Sequence, residues 1–385
     1  MRTRNGSGPG EAAPLGRPAL AHAVFWVALA GAAAAWPASA SAASYAVIGA
    51  APAAAQIGAI SGTTLYGTLS SQGDGILFSM TLTGAYTQLH AFDSATDGSA
   101  PNARLALDQA GTLYGTARDG GANDAGTLWA FSPKGTMRTP HAFGSGGDGA
   151  VPMQGPTLGM HGAILGATGE GAIGGSGNLF TLSHKGAYGV LYEFQSGSDG
   201  HCPFSGVAVA RDGTIYGTTV GVGFGGNPTG SVWKYSTEGM LTTLYVFQDG
   251  ADGEWPDQAP ALDGRGNLYG TTHVQKGDSF AGAIWKITPE GQFSVLHQMN
   301  GTTDGYGPNA PLLSDGKGTL YGTAYGGGTA GYGTVFSVTR AGVFTVLHNF
   351  LGGADGAQPT GNLVRASNGV VYGGTSNGAI FEITP

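Results

Sequence analysis

His201, Glu254 and Tyr306 occupy one place in three successive copies of an Asp-Gly-x-x-Pro segment, and Cys202, Trp255 and Gly307 follow them. In the other copies the two variable positions read Ser99-Ala100, Ala150-Val151 and Ala357-Gln358. A second set of chemically able side chains follows a recurring Leu-Tyr-Gly-Thr block. Four residues past its central position stand Ser70, Arg118, Gly169, Val220, His273, Tyr325 and Ser376. With His273 or His201 as base, Tyr306 or Tyr325 as acid and Arg118 to neutralise a carboxylate, these residues could serve β-elimination on a uronic-acid polymer. Hydrolysis of a glycosidic bond needs two carboxylates across it, and the nonrepeat loop Glu residues, Glu254 and Glu170, stand on non-adjacent copies. Without any bond being broken, Trp255, Tyr306, Tyr325 and Tyr332 could stack on a sugar or meet a protein.

Residues that recur in every copy have a simpler role. Asp97, Asp148, Asp199, Asp252, Asp304 and Asp355 each precede a Gly, which predicts turn capping through backbone N–H groups. A ring of calcium sites would need further oxygen ligands that these loops lack. His90, His141, His297 and His348 share a position with Tyr192 and Tyr245, an interchange that suits packing plus one hydrogen bond. The Tyr of the Leu-Tyr-Gly-Thr block reads as a packing residue between copies. Cys202 beside His201 is expected to point away from it, so a Cys–His nucleophile is not expected. Gly221-Val222-Gly223-Phe224-Gly225-Gly226 opens no helix that could receive a phosphate. No Ser nucleophile motif, metal-ligand spacing or cofactor motif is present.

The elements that must position these residues repeat as well. The block is centred on Tyr66, Tyr114, Leu165, Tyr216, Tyr269, Tyr321 and Tyr372, at intervals between 48 and 53 residues. Each interval holds four runs rich in β-branched and aromatic residues, broken by Gly, Asp, Asn and Pro. In the sixth copy the runs are 310–313, 319–324, 334–339 and 344–350. The pattern predicts an all-β, seven-bladed propeller of four-stranded blades. The last copy lacks its fourth run, and Ser44-Tyr45-Ala46-Val47-Ile48-Gly49 resembles one. The last blade is therefore expected to be closed by the N-terminal strand of the mature chain. In that architecture the long loops share a face, which is the candidate site, and short turns cover the other.

Before that strand, Arg2, Arg4 and Arg17 precede an apolar run and a stretch of small residues ending Ala40-Ser41-Ala42. This order reads as a secretory signal peptide over residues 1–43, cleaved near 40–43, with a retained anchor as the alternative. The mature chain, 44–385, is then one secreted or periplasmic propeller without a membrane span, expected to be a monomer. The whole chain has 385 residues, a net charge of −8 and only 10% charged residues. Scattered cations in an acidic chain exclude nucleic acid as a partner. The single cysteine, Cys202, allows no internal disulfide. Gly is 73 of the residues, yet 41% are hydrophobic, too many for a disordered tail.

Taken in order, Asp-Gly-x-x-Pro, Leu-Tyr-Gly-Thr, Gly-Thr-Val-Phe-x-x-Thr and Thr-Val-Leu-His-x-Phe resemble the bacterial "choice-of-anchor" tandem-repeat family with GloVer repeats. The resemblance spans essentially the whole mature chain and implies export and architecture. Members often carry a C-terminal sorting anchor, whereas this chain ends at Pro385 on a third strand. The resemblance implies no activity. The residues themselves favour noncatalytic binding of a polysaccharide or an envelope protein over lyase or hydrolase chemistry, because the acid–base set is incomplete.

Overall fold

A bare backbone position under an aromatic ring organises every repeat. The second strand carries the Leu-Tyr-Gly-Thr block, and its glycine lies opposite an aromatic residue of the third strand. The pairs are Gly67 with Phe78, Gly115 with Trp129, Gly166 with Phe180, Gly217 with Trp233, Gly270 with Trp285, Gly322 with Phe336 and Gly373 with Phe381. A Cβ would stand 2.1 Å from the Trp129 ring and 2.2 Å from those of Trp233 and Trp285. Glycine is required here for close approach, and the fully buried rings form the hydrophobic centre of each sheet.

The computed structural model describes residues 43–144, 147–171, 175–197, 199–221, 229–248, 250–273, 275–276 and 279–385. The expected signal peptide and residues 222–226 of the glycine-rich run lie outside them. The fold is all-β and propeller-like, built of four-stranded antiparallel sheets. The described residues add a two-stranded pair, Gln275–Lys276 with Ser279–Phe280, and the short 3-10 turns Met160–Gly162 and Gly353–Asp355. In the sixth repeat the second, third and fourth strands are Thr319–Ala324, Thr334–Thr339 and Phe344–Asn349, close to expectation. Its first strand is a correction: it is Leu313–Ser314 rather than 310–313, because Pro311 can donate no ladder bond.

First strands of consecutive repeats touch in order. That of the seventh, Pro359–Arg365, meets Gln56–Ser61 of the first in parallel. Ser44–Ala50 pairs antiparallel with the third strand of the seventh repeat, Ala379–Thr384. It breaks register between Val47 and Gly49, as Tyr86–Ala91 does opposite Leu77 and Phe78. Apolar clusters bridge neighbouring repeats: Tyr269 and Ile284 of the fifth pack with Leu312, Leu320 and Phe336 of the sixth. The block's threonine latches the same boundary, as where Thr116 donates to the Gln154 carbonyl at 3.1 Å. Among the described residues no helix is long and apolar enough to cross a membrane.

Candidate functional site

The connecting loops hang on the repeated aspartates. His141 and Asp148 approach at 3.2 Å, His297 and Asp304 at 2.8 Å, and His348 and Asp355 at 3.0 Å. The hydroxyls of Tyr192 and Tyr245 donate to Asp199 and Asp252 at 3.0 and 2.9 Å. The same carboxylates accept backbone N–H bonds from Gln195, Gln248 and Leu351. His and Tyr interchange because either can bond a carboxylate from that strand position. Asp97, Asp148, Asp199, Asp252 and Asp355 cap their turns as their repetition implied, whereas in the sixth connection Asn300 takes the backbone N–H bonds and itself donates to Asp304.

Held this way, each connection pairs with the loop after the second strand of its own repeat. Ser99 lies opposite Asp119, Ala150 opposite Glu170, His201 opposite Gly221, Glu254 opposite His273 and Tyr306 opposite Gly326. Size is complementary across several pairs. The His201 and Tyr306 rings lie over their glycines, where a Cβ would sit 2.2 and 2.3 Å from ring atoms. Much of the variation at these positions is thus local packing. The next residue of each connection has a left-handed backbone: Ala100, Val151, Cys202, Trp255 and Gln358 have φ between 51° and 55°. A non-glycine residue there carries roughly 1–2 kcal/mol of strain.

The fifth repeat pairs two large polar residues. The Glu254 N–H donates to the His273 carbonyl at 2.6 Å, and Glu254 is buried. His273 Nε2 stands 4.0 Å from Asp257 Oδ1 and 3.4 Å from the Pro308 carbonyl of the next repeat. Burial pushes the Asp257 carboxyl above its usual range, against the pull of the His273 charge. Asp257 was missed from sequence. Its signal was present, since the residue after the connection's proline is Asn102, Met153, Phe204, Asn309 and Thr360 in the other connections.

Trp255, Tyr306 and Tyr325 are each 37% exposed and Tyr332 is 45% exposed, and they are the large aromatics in that state among the described residues. All four belong to loops of the fifth and sixth repeats. Tyr325 donates its backbone N–H to the Gly307 carbonyl at 3.0 Å, which ties it beside Tyr306. Arg118 is held by its neighbour Asp119, with Nη2 2.8 Å from Oδ2. It belongs to the second repeat, with the third and fourth between it and His273. The acid–base set is therefore spread from the second repeat to the sixth, whereas the exposed aromatics belong to loops of the fifth and sixth.

One expectation is corrected. His201 Nδ1 and Cys202 Sγ lie 3.0 Å apart rather than pointing away from each other. The left-handed backbone at Cys202, φ 53°, departs from the extended geometry that sends successive side chains apart. Burial, and then the Glu170 charge, push the thiol's pKa up, which opposes formation of a thiolate.

Two overlapping stretches, residues 24–227 and 152–385, match the Gloeobacter/Verrucomicrobia repeat. No curated protein sequence matches the chain. Among solved structures it resembles a streptogramin B lyase at 14% identity, over 89% of this chain and 97% of that one, with a TM-score of 0.58. It also resembles the extracellular domain of a hybrid two-component system from B. thetaiotaomicron, at 10% identity, over 88% and 39% of the chains, with a TM-score of 0.56. A puromycin hydrolase shares 13% identity over 86% and 52%, with a TM-score of 0.55. Likeness at these identities shows the fold alone.

Proposed function

The chain belongs to the Gloeobacter/Verrucomicrobia repeat family, and from that premise we propose that it is an exported, noncatalytic binding protein that holds a carbohydrate on the loops of its fifth and sixth repeats. Its proposed architecture is a closed seven-bladed propeller over residues 44–385, after loss of a signal peptide at 1–43. The cyclic contact of the first strands and the pairing of Ser44–Ala50 with Ala379–Thr384 support closure. The observation that supports the binding reading is that the four exposed aromatics, Trp255, Tyr306, Tyr325 and Tyr332, all belong to loops of the fifth and sixth repeats. Flat aromatic faces beside polar groups suit the apolar faces and hydroxyl edges of sugars. Lyase chemistry is disfavoured because Arg118 belongs to the second repeat, with the third and fourth between it and His273.

The test is a screen of the mature protein against neutral and acidic polysaccharides, reading both retention and any new reducing or unsaturated ends. Retention without new ends is expected. Trp255→Ala should weaken that retention by about 1–3 kcal/mol, roughly five- to 150-fold, with the melting temperature barely changed. Turnover of any polymer would overturn the noncatalytic reading. A large loss of stability with unchanged retention would overturn the assignment of Trp255.

A further inference from the structure

Tyr114, Ala130 and Arg138 stand side by side on the second, third and fourth strands of the second repeat, since Ala130 pairs with both of the others. Side chains in such a row share one face of the sheet. Ala130 is small and buried, and the Arg138 charge acts on the Tyr114 phenol, against the upward push of burial and of Asp108. In the first and the third to sixth repeats the place of Arg138 is taken by Thr87, Gly189, Thr242, Ser294 and Thr345. A cation there is particular to the second repeat.

Two cavities lie between this row and the short turns of the third repeat. The lining of one, about 320 Å³, includes Tyr114, Arg138, His184 and Lys185. That of the other, about 580 Å³, includes Asp108, Tyr114, His161 and His184. Tyr114 and His184 belong to both, so the two make one cleft across the boundary of the repeats. The matching place between the fifth and sixth repeats is bridged: Arg340 stands where His184 does and ion-pairs at 3.1 Å with Asp263, the counterpart of Asp108. Neither Arg138 nor Lys185 is ion-paired among the described residues. Asp108 accepts the Thr112 N–H at 2.8 Å on one oxygen and the Tyr114 hydroxyl at 3.4 Å on the other.

We propose that this cleft binds an acidic sugar, with its carboxylate at Arg138 and Lys185 and its hydroxyls toward His184, His161 and Asp108. A guanidinium takes a carboxylate through paired N–H bonds, and an ammonium beside it adds a second charge. At the other end the Asp108 carboxylate accepts from hydroxyls and repels a second acid group, so the ligand is acidic at one end only. Cavities of this size are those of small-molecule sites. The turns of the cleft join first to second and third to fourth strands, whereas the exposed aromatics stand on the loops at the other end of the sheets. This site does not depend on those loops having a ligand.

The test is a calorimetric titration of the intact protein, at fixed pH and ionic strength, with cellobiouronic acid, its neutral counterpart cellobiose, and acetate. The acidic disaccharide should bind, and the other two should bind at least about tenfold more weakly. Arg138→Thr installs the residue that three other repeats carry at this place, so it should melt with the parent. It should weaken cellobiouronic acid by roughly ten- to hundredfold. Equal affinity for cellobiose would overturn the role of the cations, and equal affinity for acetate would overturn the sugar. No binding of the acidic disaccharide, or the same affinity in Arg138→Thr, would overturn the site. A loss of affinity in Trp255→Ala with none in Arg138→Thr would put the binding on the aromatic loops and overturn it too. The comparison of the three ligands on the parent decides the question even if the variant fails to fold.

Discussion

His141 shows how one side chain serves packing and carries a pH dependence with it. Its ring stacks on Tyr188 at 3.6 Å and meets the edge of Phe143 at 5.0 Å. Burial pushes its imidazole below the usual range, against the opposing pull of Asp148. A folded value below the unfolded one means the unfolded chain takes up its proton first. The contribution of His141 is therefore intact above the unfolded pKa of about 6.5 and is lost as pH falls below it toward the folded value. Two other repeats carry Tyr at this position, so His141→Tyr should fold. Urea unfolding of the variant should show a smaller stability loss between neutral and mildly acidic pH than the parent. An unchanged or steeper loss would contradict the assignment.

Across each sheet, the pairing of glycine with an aromatic ring sets what the second strand tolerates. A Cβ on Gly217 would lie 2.2 Å from Cζ2 of Trp233, a ring with no exposed surface. Gly217→Ala should therefore cost about 2–4 kcal/mol in chemical denaturation, through overpacking rather than backbone preference. Adding Trp233→Leu should recover part of that loss, a coupling expected of two groups in direct contact. Additive losses would place the strain elsewhere. The second to fourth strands were legible in the sequence because their β-branched and aromatic runs are bounded by turn residues. The first strand was overextended because its apolar run crosses Pro311, and a run of apolar residues does not reveal where ladder bonding begins. The contact of His201 with Cys202 was illegible for a related reason, since the sign of φ at a non-glycine residue is not written in its type.

For the whole molecule, the join between the chain's ends repeats the chemistry found between internal repeats. Tyr45 stacks on His348 at 3.5 Å and its hydroxyl donates to the Asp355 carbonyl. Tyr188 does the same with His141 and with the Asp148 carbonyl, the latter at 2.7 Å. Deleting Ser44 to Gly49 from the mature chain should cost several kcal/mol, on the order of a small domain's whole margin. The exposed edge of Ala379–Thr384 should also drive self-association, visible as a lower melting temperature and earlier elution. A truncated chain that melts with the parent and elutes as its monomer would contradict this account of the seam. The sequence by itself determined the number of repeats, the strand content and the odd aromatic residues, because each is a matter of residue type at a fixed interval. Only the tertiary structure decided that the repeated Asp meets the His or Tyr of the preceding strand, that Arg118 pairs with Asp119 and that Asp257 faces His273. Those facts depend on which side chains several repeats bring to one place, and spacing along a chain carries no record of distance across it.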